Sequence, residues 1–166
     1  SSDLPVAPEP ETVNTAVDEA TLRRVAATQV ATPEGFVIHP RLAPQIAKRT
    51  EMLDEGTVDW AAGEMFAMGT LLIEGHNVRI AGQDVGRGTF SNRHAVILDQ
   101  ATGNDWVPLR ALATTDNQFF VVNSLLSEYA AMGFEYGYSV IREDALVMWE
   151  AQFGDLDRKS TRLNSS

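Results

Sequence analysis

The stretch NSLLSEYAAMGFEYGYSV, residues 123–140, sets a carboxylate, Glu128, where a polar loop turns into an apolar helix. Apolar and small residues recur at Leu126, Ala130, Met132, Gly133, Phe134, Tyr136 and Gly137. That spacing is mostly helical, and dense enough to predict a buried helix rather than a surface one. A carboxylate at such a start gains from the positive end of the helix dipole and from free backbone amides. Helix capping therefore explains Glu128 on local grounds, with Ser124 or Ser127 as the cap.

The flanks of this stretch decide the fold class. FFVV, residues 119–122, and ALVMWEAQF, residues 145–153, are short apolar runs that read as strands. Strand, helix and strand in that order make a parallel crossover unit, so the expected class is α/β. The unit sets Glu128 at the helix start and Trp149, Glu150, Gln152 and Phe153 at the end of the following strand.

Further upstream, the first seventeen residues are rich in proline and acidic residues and read as a linker. DEATLRRVAATQV, residues 18–30, predicts a short helix with Leu22, Val25, Ala26 and Gln29 along one side, stopping before Pro33. HPRLAPQIAKRTEMLDEG, residues 39–56, predicts a second, amphipathic helix with Leu42, Ile46, Arg49 and Leu53 at helical spacing and Gly56 at its end. DWAAGEMFAMGTLLIEG, residues 59–75, predicts a third helix, the most buried early element, with Asp59 as cap and Trp60, Met65, Phe66, Met68, Leu71, Leu72 and Ile73 inside it. NVRIAGQD then reads as a strand that delivers Gln83 and Asp84 into the loop VGRGTFSNRH, and HAVILD, residues 94–99, as another strand. In α/β sheets ligands collect beyond the carboxyl ends of strands, where Gln83, Asp84, Arg87 and His94 stand. Gly86 and Gly88 are equally explained by a tight turn.

Composition narrows the classes. The 166 residues suffice for one domain with a real core, and 44% hydrophobic content fits a globular protein. A net charge of −10 argues against nonspecific binding to nucleic acid or to an anionic membrane. Cysteine is absent, which removes disulfides and thiolate metal sites and permits a cytoplasmic location. No apolar run reaches the length of a membrane span, and the first residues lack the pattern of a signal peptide, so a soluble, unexported protein is expected. His39, His76 and His94 lie far apart without zinc-ligand spacing. Arg87 and Arg93 could pair with an anion, but charged loop residues are usually just solvated. A carboxylate at a helix start gains interest if a heterocycle lies against it, because a basic ring nitrogen can share a proton with it through a short hydrogen bond.

Four strings carry a family resemblance: PEGFVIHPRL (33–42), RIAGQDVGRGTFSNRHAVI (79–97), LSEYAAMGFEYGYSV (126–140) and WEAQFGD (149–155). Together they resemble the thiamine-diphosphate-dependent first component of 2-oxoglutarate dehydrogenase, of the actinobacterial multifunctional decarboxylase and dehydrogenase type. The resemblance implies part of a transketolase-like pyrimidine-binding domain, with a mostly parallel sheet and flanking helices. In that family the glutamate matching Glu128 is catalytic: it hydrogen-bonds a pyrimidine ring nitrogen and favours the imino tautomer, whose exocyclic nitrogen deprotonates the thiazolium carbon. Gln83 matches a residue close to the cofactor, and Gln152 and Phe153 belong to the motif lining the pyrimidine.

The same resemblance implies 2-oxoglutarate as substrate, a lipoyl-bearing succinyltransferase component as partner, a homodimer, a cytoplasmic location and a place in the tricarboxylic acid cycle. Neither nucleic acid nor membrane is expected as a partner. The magnesium that binds the diphosphate belongs to a preceding domain, so no metal ligand is expected here. The expected organisation is a linker and preceding helix over 1–32, the first part of the pyrimidine-binding domain over 33–156, and a non-native-looking tail over 157–166. Leu156 stands where the family has phenylalanine. The chain alone is expected to be inactive, the enzyme being the longer parent. Two alternatives stay open: another thiamine-dependent 2-oxo acid dehydrogenase or transketolase-like enzyme, and a non-catalytic α/β interaction module in which Glu128 only caps its helix.

Overall fold

The computed structural model describes residues 13–152. Helix α1 spans Glu19–Val30, and Asp18 caps it by accepting from the Thr21 amide at 2.9 Å. Its buried side is Val25, Ala26 and Gln29. Helix α2 spans Ala43–Glu55 with proline in its first turn, and ends on Gly56 in the left-handed region, φ 67°. Helix α3 spans Trp60–Ile73, capped by Asp59 through the Ala62 amide at 2.7 Å. All three lie where the apolar periods predicted them. Gly69 lets α3 approach α1 closely, since a Cβ there would lie 2.4 Å from Val25 Cγ1.

Trp60 departs from the expected core of α3 and is 85% exposed. It shares a helix side with Gly63, Glu64 and Ala67, whereas the core-facing side starts at Ala61 and Ala62 and continues through Met65, Phe66 and Leu72.

Strand β1, Asn77–Gly82, follows α3 and is buried along its length except at half-buried Arg79. Val78 and Ile80 join the core formed with Met65, Phe66 and Leu72 of α3, while Arg79 between them turns toward the opposite face. Only Ile97–Leu98 (β2) of the strand expected over residues 94–99 pairs, and it does so antiparallel with Asp105–Trp106 (β3) as a separate small sheet. The reason lies in the preceding residues. The Arg93 and His94 amides both donate to the Arg87 carbonyl at 3.0 Å, the Val96 amide donates to that of Gly86, and His94 has φ 44°. Those donors are spent on the loop and cannot extend a ladder.

Strand β4, Phe119–Asn123, leads into helix α4, Glu128–Ile141, and then strand β5, Ala145–Glu150. The sheet order is β4-β1-β5 and every pairing is parallel, so the crossover through α4 steps over β1. Gly82 pairs with Asn123 on one side and Glu150 on the other, which aligns the carboxyl ends of the three strands. A Cβ at Gly82 would lie 2.8 Å from the Glu150 carbonyl oxygen, so glycine permits the close approach there.

Helix α4 is the largest departure from expectation. Glu135 is its only buried residue, whereas Tyr129 is 81% and Tyr136 73% exposed. Its sequence is apolar almost all round, but β1 and β5 cover a single narrow side. That side is pinned by an ion pair: Arg79 Nε and Nη2 donate to the two Glu135 oxygens at 2.7 and 2.8 Å. The Phe134 and Tyr138 rings lie 5.2 and 4.9 Å from the same guanidinium.

Replacing Glu135 with alanine leaves the half-buried Arg79 without its counter-charge, at an expected cost of about 2 kcal/mol. Urea unfolding measures it, and a change below about 0.5 kcal/mol, the size of an ordinary surface substitution, would show that the pair does not hold α4. The exposed apolar face of α4 also predicts that this chain self-associates. Sedimentation velocity should show mass rising with concentration, and a cooperative, strictly monomeric thermal transition would contradict it.

Candidate functional site at the carboxyl edge of the sheet

The aligned strand ends bring three of the four expected site residues together. Gln83 follows β1 directly, Glu128 opens α4, and Gln152 lies two residues past β5. Glu128 is half-buried, and its Oε1 accepts from Gln83 Nε2 over a long 3.4 Å. Gln152 Nε2 lies 3.2 Å from the Gln83 carbonyl oxygen and 2.9 Å from Thr89 Oγ1. Gln152 thereby ties the loop after β1 to the end of β5. Phe153 lies outside the described residues.

Ser127, one of the two serines considered, is the cap of α4: its Oγ accepts from the Ala130 amide at 3.4 Å. Glu128 is therefore the first helical residue and is not consumed by capping. Gln83 is its only hydrogen-bond partner among the described residues, which leaves one carboxylate oxygen with acceptor capacity. That fits a ligand presenting a ring N–H.

A second group at this edge escaped the sequence reading. Arg93, expected to be solvated, is 3% exposed. Its guanidinium binds Glu64 of α3 through two contacts, at 2.6 and 3.1 Å, donates to the Val85 carbonyl at 2.9 Å, and pairs with Glu150 at the end of β5. Burial by itself would weaken its hold on its proton, but the Glu150 and Glu64 carboxylates outweigh that and raise it above its ordinary value. Glu150 Oε1 is buried and has no hydrogen-bond partner among the described residues. A lone glutamate at position 64 in the otherwise apolar run WAAGEMFAM was the readable signal.

The other loop residues play local parts. Asp84 and Arg87 are exposed and form an ion pair with each other. His39 Nδ1 accepts from the Arg41 amide at 3.2 Å, and His76 is exposed. His94 Nε2 lies 2.8 Å from the Ser91 carbonyl, which can only accept, so that nitrogen carries the proton. Among the described residues no cluster of three or more His, Cys, Asp or Glu side chains could hold a metal ion, and no helix is long and apolar enough to cross a membrane.

A parallel three-stranded sheet, a crossover helix opening on a half-buried carboxylate, and glutamines gathered at the strand ends define an α/β domain of the class whose ligand sites lie beyond the carboxyl ends of the strands. Residues 56–157 match the model of the transketolase pyrimidine-binding domain, and the chain belongs to that family. It is also similar to the multifunctional 2-oxoglutarate metabolism enzyme of Mycobacterium sp. strain JLS, 52% identical over 152 residues. The enzyme of the same name from Mycolicibacterium vanbaalenii is 49% identical. Each match covers 88% of this chain and 12% of the relative, so the chain spans about an eighth of the length of these curated relatives.

Burial lowers the affinity of His94 for its proton, against a smaller opposing effect of its bond to the Ser91 carbonyl. An unfolded chain therefore takes up this proton at higher pH than the folded one. Stability due to neutral His94 is full above about pH 6.5, the ordinary value, and is lost as pH falls below it. Asparagine tolerates the left-handed backbone at this position. The His94→Asn variant should lose less melting temperature than the parent chain between about pH 7.5 and 5, and parallel losses would contradict this assignment.

Proposed function

We propose that this chain supplies the aminopyrimidine-binding half of a thiamine-diphosphate site in a longer enzyme that decarboxylates 2-oxoglutarate. The single observation carrying the proposal is Glu128, placed at the start of α4 by a cap that does not use its carboxylate, with Gln83 as its only hydrogen-bond partner among the described residues. Family membership supports the cofactor, and the names of the relatives support 2-oxoglutarate metabolism.

In this reading the free Glu128 oxygen binds a ring nitrogen of the pyrimidine and holds or returns the proton there. Gln83 orients the carboxylate through Oε1. Gln152 fixes the loop carrying Gln83, and the motif that contains Phe153 is assigned to the ring by resemblance alone. Bound, the cofactor supplies a carbon nucleophile for the keto carbon of a 2-oxo acid and an electron sink for the decarboxylation. The proposal extends to transfer of the succinyl unit to a lipoyl-bearing partner in the tricarboxylic acid cycle, a homodimeric parent in the cytoplasm, and magnesium held by another domain of that parent. Residues 33–156 are proposed as the first part of the pyrimidine-binding domain.

The test uses the longer protein carrying this chain. Glu128→Ala should lower 2-oxoglutarate decarboxylation by about a hundredfold or more, the usual range for losing a proton-transfer group. Unchanged turnover would leave Glu128 as a structural residue of the helix start. Turnover of pyruvate in preference to 2-oxoglutarate would keep the cofactor assignment and overturn the substrate.

A further inference from the structure

A cavity lined by apolar as well as polar side chains lies away from Glu128, between α2, the start of α3 and the loop following β1. It encloses about 300 Å3, and its walls include Lys48, Arg49, Asp59, Ser91, Asn92 and His94. The size suits a small ligand.

Arg49 is the unusual member. It is 5% exposed, yet among the described residues no carboxylate forms an ion pair with it. Its guanidinium donates to two neutral acceptors, Gln29 Oε1 at 3.0 Å and the carbonyl oxygen of Arg93. The carboxylate in the wall, Asp59, is committed to the Ala62 amide of α3 and acts on Arg49 only from a distance. The exposed Lys48 adds a second, solvated cation at the rim, and burial holds His94 toward its neutral form. Arg49 and Lys48 against Asp59 leave one positive charge in excess. A buried charge without a partner is costly, and an anion in the cavity would supply one.

The loop contributes matching donors. Ser91 Oγ already accepts from Arg87 Nη1 at 2.6 Å, so its hydrogen is free to donate outward. The half-buried Asn92 offers an amide beside it. Arginine, lysine, hydroxyl and amide donors from two elements suit an oxyanion with several acceptor oxygens better than a planar carboxylate.

We infer that this cavity is a binding site for a small phosphate-type oxyanion, held by Arg49 and Lys48 of α2 with Ser91 and Asn92 of the loop. Binding there braces α2 against the loop whose other end carries Gln83. The site does not depend on the cofactor reading, since neither Glu128, Gln83 nor Gln152 lines it.

Equilibrium dialysis of the full chain against radiolabelled inorganic phosphate tests it. Saturable binding near one ion per chain is expected, weakened about tenfold or more in Arg49→Gln, the usual scale for losing a charge-assisted hydrogen bond. Asn92→Asp, isosteric and half-exposed, adds a negative charge to the wall and should abolish binding even if Arg49→Gln fails to fold by circular dichroism. Competition by glycerol phosphate would identify the ligand as a phosphate ester, and competition by free phosphate alone would identify the ion. No saturable binding, binding equally displaced by chloride, or binding unchanged in Asn92→Asp would overturn the proposal.

Discussion

The Arg79–Glu135 ion pair is the constraint on which the site depends. Helix α4 buries little else, so its orientation on the sheet is set by two charge-assisted hydrogen bonds and two aromatic rings around one guanidinium. Glu128 and Glu135 lie two helical turns apart on similar sides of α4. Fixing the second to the middle of β1 therefore fixes where the first stands relative to Gln83 at the end of β1. Such a pair is costly to desolvate, and its value here is geometric: it specifies one docking of a helix whose apolar surface would otherwise allow several.

On the other side of the sheet Arg93 plays the corresponding part for the loop. Its contacts reach α3 through Glu64, β5 through Glu150 and the loop itself through Val85. The first clamp holds α4 to the middle of β1, and the second holds the loop to residues near the carboxyl ends of β1 and β5. These contacts offset the strain of a loop with three non-glycine residues at positive φ, Asp84, Ser91 and His94.

Much of this was legible in the residues. Asp18 and Asp59 capped the helices they precede, Gly56 ended α2, and the strand, helix, strand order around Glu128 gave a parallel sheet, because each of these is a local signal with a local cause. What escaped depends on partners distant in sequence. Apolar density predicted a buried α4, but density reports what a helix can bury and not how much surface this chain sets against it. Trp60 was assigned to the core although it stands on the polar side of α3. Arg93 read as a solvated loop residue because Glu64 and Glu150, which bury it, lie 29 and 57 positions away. Gln83, Glu128 and Gln152 were named from the motifs that carry them, and the sheet register brings them to one edge; Phe153 lies beyond the described residues.

The central claim is that the start of α4 holds the free oxygen of Glu128 against a cofactor ring. Its most direct test is magnetic resonance of thiamine diphosphate carrying an isotope label at the pyrimidine ring nitrogens, bound to the longer protein with this chain intact and with Glu128→Ala. A ring-nitrogen resonance displaced on binding, and returned to its free position by the substitution while the cofactor stays bound, is the predicted result. A displacement that survives the loss of Glu128 would contradict the account.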